Sequence, residues 1–317
     1  MTKLSPKTLE RLRPLEKQLR AAVGKGALEE AIELTGQIQS LFTNREHHRL
    51  LKAKLWVFEA ALDANRLSYA ESGFRGVRKL SNSGTRLHLE ASALLGVCLL
   101  RQQDTPEAKK LFRGVIKSIN DISSDRTRRQ FQKRLIERIE EECILSELIG
   151  AGEARLDVSE MHEQAVLLIR RNSDNEILKL IGNSVPSSGI KLLHDVRDYS
   201  IKLLPAPDRK LLPASEEAER PLVVGKKTAA VLKRIAWKSL CDPESELYRL
   251  WSKQVPKVFN ETYFTGSLAA TLASWRIGLP ILGAGIAAVA MKSTAEAFCD
   301  YAKPKGLMID RSEKDEE

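Results

Sequence analysis

The sequence predicts an all-α protein, and three observations carry that prediction. Aromatic residues make up only 5% of the chain, so packing must rest on Leu, Ile, Val and Ala, which suit helices better than strands. Apolar residues recur at helical spacing through the first half, whereas the one β-like run, Leu222-Val223-Val224, is too short to pair widely. Turn-forming residues separate the apolar stretches, at Gly24-Lys25-Gly26, Asn65, Ser81-Asn82-Ser83-Gly84 and Asp104-Thr105-Pro106.

The 317 residues suffice for one large or two ordinary domains, and 43% hydrophobic with 29% charged residues is a globular composition. A net charge of +9 favours anionic partners such as nucleic acid or acidic lipid. The N-terminal residues lack the apolar core of a secretory signal. The four cysteines (Cys98, Cys143, Cys241, Cys299) include no CxxC pair and read as free thiols in a reducing cytosol. The expected location is therefore cytoplasmic, with attachment to or insertion in the inner membrane as an option raised by the C-terminal region below.

An internal repeat is visible when three segments are aligned. Glu30-Ala31-Ile32-Glu33-Leu34, Tyr69-Ala70-Glu71-Ser72-Gly73-Phe74 and Glu107-Ala108-Lys109-Lys110-Leu111-Phe112 place a small residue at 31, 70 and 108, at intervals of 39 and 38. Two copies have the form Ala-x3-Phe, while Thr35 takes the aromatic position in the first, and Leu95-Gly96 stands ahead of the third. This pattern resembles the tetratricopeptide repeat, a helix pair of about 34 residues. The resemblance covers residues 15–122, with a looser fourth unit to about 171. It departs from the family in its longer period, in lacking the helix-A aromatic and in lacking the closing proline. It implies a stack of helix pairs with a groove that binds a protein partner. Ala31, Ala70, Gly96 and Ala108 are then expected where the two helices of a unit cross, with Phe74 and Phe112 filling gaps between neighbouring units. Thr105 reads as the cap ahead of an N1 proline at Pro106.

A long helix is expected from Asp125 to Gly150, with Phe131, Leu135, Ile139 and Cys143 on its apolar stripe. Its basic residues Arg126, Arg129, Lys133 and Arg134 read as a solvated face offset by Glu137, Glu140, Glu141 and Glu142. Four prolines within 205–221 and an acidic run then suggest a linker. The expected organisation is a repeat domain over 1–204, a proline-rich linker over 205–224 and a basic helical module over 225–317.

In that module a helix is expected from Lys226 to Leu240 and a second from Asp242-Pro243-Glu244 onward. Between Pro221 and Lys257 eight basic residues face three acids, a local +5, which makes Lys226, Lys227, Lys233, Arg234 and Lys238 candidates for docking on anionic lipid. Two charge-free runs follow, Tyr263 to Trp275 and Ile277 to Met291, crowded with glycine and alanine and interrupted by Arg276. Each is shorter than the ~20 residues that span a bilayer as a helix. Three readings of this hairpin, about 258–292, stay open: a buried hairpin of a soluble domain, membrane insertion or docking, and a self-association seam. Trp275 and Arg276 would form its tip, and Gly283 and Ala287 its close-contact face. The layout is similar to bacterial toxin or anti-phage defence effectors in which a soluble sensor restrains a membrane-active hairpin.

No catalytic constellation is present. Val224-Gly225-Lys226-Lys227-Thr228 has the superficial look of a phosphate-binding loop but lacks the first glycine, and His47-His48 has no metal-ligand cluster beside it. The expected function is a non-catalytic sensor or adaptor without cofactor or metal. It would bind a protein through the repeats and act at a membrane through the hairpin, alone or as a homo-oligomer. The alternative is a soluble regulatory subunit of a nucleic-acid-associated complex.

Overall fold

The computed structural model describes residues 4–122, 124–152, 155–204, 209, 217, 220–242, 245, 248–249, 262–292, 295–303 and 306. Among them the chain is helical, with a lone bridge between Gly152 and Gly278 in place of any sheet. Contact density divides it into unit one, Met1–Ile139 with Lys305–Glu317, and unit two, Glu140–Pro304. The division falls inside a helix and not in the proline-rich stretch. Most of 205–220 lies outside the described residues, and Pro221 onward is helix, including the β-like Leu222-Val223-Val224.

Unit one opens with three helix pairs. They are α1 (Pro6–Lys25) with α2 (Leu28–Ser40), α3 (His48–Asp63) with α4 (Leu67–Leu80), and α5 (Arg86–Arg101) with α6 (Thr105–Ser118). Each helix packs on the next, and the first helices also touch in series, α1 on α3 and α3 on α5. The turns inside the pairs are built alike. Gly26, Asn65 and Gln103 all have positive φ, at 79°, 58° and 67°. Around each of them the following amide donates five residues back, from Ala27 to Ala22, Arg66 to Ala61 and Asp104 to Leu99. The left-handed residue donates three back, to Val23, Leu62 and Leu100. This is the Schellman closure, repeated at the 39- and 38-residue intervals of the small residues.

The cap of α6 is Asp104, which accepts from the Glu107 amide, so Thr105 is the first helical residue and not the cap. A fourth pair does not continue the period. After a short turn at Ile119–Asp121, α7 (Asp125–Leu148) runs on without a breaker at the place where a further turn would fall.

Unit two contains the end of α7 and seven further helices: α8 (Val158–Arg171), α9 (Asp174–Asn183), α10 (Ser187–Leu203), α11 (Pro221–Leu240), α12 (Thr262–Ser274), α13 (Pro280–Met291) and α14 (Ala295–Ala302). The expected helix opening at Asp242 lies mostly outside the described residues. The core gathers Leu145, Ile177, Ile181, Leu232, Leu268 and Leu282 from separate helices. The closest crossing is α9 on α11. A β-carbon on Gly225 would overlap the Leu178 carbonyl oxygen, and one on Gly182 would overlap the Pro221 carbonyl oxygen. The phosphate-loop look of residues 224–228 is thus a helix interior whose glycine permits two backbones to touch.

The cysteine expectation is corrected. Cys241, just after α11, and Cys299 of α14 form a disulfide, and the Trp237 indole N–H donates to the Cys299 carbonyl at 3.0 Å. Cys98 and Cys143 are free and buried. Burial pushes the Cys98 thiol up to about 11, so it stays protonated and unreactive near neutrality.

Candidate functional site

The small residues of the repeat take the positions expected of a helix crossing. Ala31, Ala70 and Ala108 are fully buried, and Phe74 and Phe112 nearly so. The aromatic rings, however, meet the first helix of their own pair. A β-carbon on Gly96 would stand 2.5 Å from the Phe112 ring, and Phe74 meets Phe58 edge-on at 6.2 Å between centroids. Phe58 and Gly96 are equivalent positions, each twelve residues before the small residue of its unit. In the second pair the ring stands on α3 and Gly73 makes room for it; in the third the ring stands on α6 and Gly96 makes room. One gap is filled from opposite sides, an exchange that preserves packing volume.

On α3, Trp56, Glu59 and Asp63 share one face by their spacing. Arg20 of α1 and Lys52 lie over the Trp56 ring at 5.7 and 5.2 Å, within cation–π range. Glu59 and, on α5, Glu90 are fully buried; Arg86 holds Glu90 at 2.7 Å. Asp63 takes Arg138 at 2.9 Å and Arg101 at 3.9 Å, and Arg101 also donates to the Leu62 carbonyl at 2.5 Å. Arg49 pairs with Glu16 of α1. The first helices thus carry a buried ionic belt. Such belts contribute less to stability than to fixing which groups meet, because desolvation offsets most of the attraction.

Composition and spacing treated these charges as surface. The available signal was a charge set inside an unbroken apolar stretch, as Glu59 is within Leu55–Leu62 and Glu90 within Leu89–Leu95.

A cavity of about 390 Å3 opens between the loops that join the pairs, lined by His47, His48, Leu51, Lys52, Asn82 and Thr85 among others. Burial, then His47, Arg49 and Lys52, lower the His48 pKa, so its imidazole is neutral at pH 7. No group of three metal-ligating side chains occurs among the described residues.

In unit two the candidate docking cations are largely engaged internally. Lys227 and Arg197 both pair with Glu140, and Arg234 spans Glu141 and Glu142 at 2.8 and 2.7 Å. Lys238 lies 3.7 Å from Asp242, Lys233 is half-buried, and Lys226 is exposed. Glu140 and Glu142 are therefore buried partners and not the solvated offset expected on that helix.

Among the described residues no helix is long and apolar enough to cross a membrane. The two runs form α12 and α13, and α13 is sunk in the core. A β-carbon on Gly283 would stand 2.6 Å from the Met161 sulfur, one on Gly285 2.7 Å from Ile181, and Ala287 is fully buried. Arg276 does sit at the tip, with φ 57°, exposed, and Trp275 is half-buried beside it. The Arg276 carbonyl accepts from Gly150, and Gly278 donates to Ala151, which pins the tip to the segment after α7. Comparison with protein-family models, with curated proteins and with solved structures finds no match.

Proposed function

We propose that unit one is a tetratricopeptide-like scaffold that holds an extended segment of a partner protein on the face formed by its first helices. The observation that carries this reading is the recurrence of one turn geometry at Gly26, Asn65 and Gln103, in register with the buried Ala31, Ala70 and Ala108. Stacked helix pairs of this kind expose a continuous face to which each pair contributes equivalent positions, and such faces serve as binding surfaces. Here that face bears an indole, two cations over it and paired carboxylates, a mixture suited to a peptide's main chain and charged side chains.

The hairpin is read as the buried core of unit two, since its small residues are taken up in packing against α8 and α9. The pairing of Lys227, Arg234 and Lys238 with carboxylates leaves less free charge for lipid or nucleic acid.

The test is selection from a random peptide library with the full chain. Enriched peptides should bind at least tenfold more weakly to Glu59→Lys and equally well to Lys226→Glu. Binding lost with Lys226→Glu and kept with Glu59→Lys would move the site to unit two and sink the reading.

A further inference from the structure

Gly306 is buried in unit one, and its neighbour is the carboxylate of Glu59 on α3. A β-carbon built on Gly306 would stand 2.7 and 2.9 Å from the two carboxylate oxygens. Glu59 is itself fully buried, so it has little freedom to retreat, and the close approach selects glycine. About one turn earlier on the same face, the Trp56 indole N–H is buried and meets no acceptor among the described residues. A buried donor without an acceptor is unfavourable, and an extended chain crossing this face supplies a carbonyl to it. The residues before Gly306 in sequence include Lys303 and Lys305, cations of the sign that suits an approach to a carboxylate.

We propose that this face of α3 binds an extended, glycine-containing peptide segment, and that the chain's own segment at Gly306 occupies it in cis until a partner segment displaces it. The proposal rests on the partner-binding reading of unit one and adds the ligand chemistry. A glycine lies over Glu59, and a main-chain carbonyl is presented to Trp56. The chain's own segment leaves the Trp56 donor unmatched, so a partner that satisfies both groups competes effectively despite the advantage of tethering. Occupancy in cis lowers the apparent affinity for a partner by the fraction of chains whose face is open.

The experiment uses the full chain and a labelled synthetic peptide of residues 303–317 as probe. In Gly306→Val, amide exchange in the C-terminal peptide containing residue 306 should rise at least tenfold over wild type. That variant should then bind the probe at least tenfold more tightly than wild type does, because its face is vacated. A probe carrying Gly306→Val should not bind. Gly306→Ala, a milder change at the same place, should give the same order of effects should the valine variant fold poorly. Unchanged exchange in both variants, or equal probe binding by variant and wild type, overturns the proposal.

The outcome is separable from that of the library selection. Selected peptides that bind at Glu59 yet leave C-terminal exchange unchanged remove the cis competition while leaving the partner reading intact. Probe recapture with no selected peptide does the reverse.

Discussion

The two units both use glycine to bring helices together, but they set different things against it. In unit one the neighbour is a ring: Phe58 opposite Gly73, Phe112 opposite Gly96. In unit two, at the crossing of α9 and α11, the neighbour is backbone, with Gly182 and Gly225 each facing a carbonyl oxygen of the other helix. A ring can be exchanged from one side of a gap to the other, as the second and third pairs do. A carbonyl fixed in a helix cannot move aside. Packing by side chains tolerates redesign from unit to unit, while packing by backbone ties two helices to one register.

The largest effect should therefore come from Gly225→Leu. Its side chain would force α9 and α11 apart, and a loss of about 4–5 kcal/mol or more is expected. Chemical denaturation followed by Trp fluorescence should show unit two unfolded or strongly destabilised. A near-native midpoint would mean that the crossing is loose.

Phe112→Ala should cost ~3–5 kcal/mol, because a buried ring leaves a cavity beside Gly96 that the helices only partly close. Coupling sharpens the contrast. Adding Gly96→Phe to Phe112→Ala should recover part of the loss, since it recreates the arrangement of the second pair. No such exchange can rescue Gly225→Leu. Equal rescue in both units would erase the distinction.

Cys299→Ser should cost ~2–4 kcal/mol, as the disulfide closes a loop with a sequence separation of 58. The loss should appear in unit two, with the helix bearing Phe298 first to exchange. If the melting midpoint of wild type does not fall in reductant, the bridge contributes nothing to stability.

The smallest effect is a gain. Gln103 holds a left-handed conformation that glycine adopts without strain, so Gln103→Gly should stabilise unit one by about 0.5–1 kcal/mol. Asn65→Gly should gain less, because asparagine tolerates that region better. Destabilisation by both would deny that these turns share one closure.

What was legible in the sequence follows the same divide. The helix pairs were legible because each depends on local signals: apolar periodicity, a breaker and a small residue at fixed spacing. Gly26 and Asn65 were readable as breakers, whereas Gln103 was not, since its residue type carries no turn signal. The end of unit one was hidden because the apolar stripe Phe131, Leu135, Ile139, Cys143 passes unbroken through it. Unit two was poorly legible for a physical reason. The Glu140–Lys227 and Glu142–Arg234 pairs, the Cys241–Cys299 bridge and the Gly182–Gly225 crossing join residues far apart in sequence, and each partner alone looks like an ordinary surface charge, thiol or loop glycine. The face of α3 was missed because buried charge and solvated charge have the same letter.

The most direct measurement of partner binding places a photoreactive group at Lys52, on α3 near Trp56, and in a separate chain at Lys226 in unit two. Each is irradiated with a library-selected peptide. The account predicts a cross-link from position 52 that Glu59→Lys abolishes, and none from position 226. A cross-link from position 226 alone would contradict it.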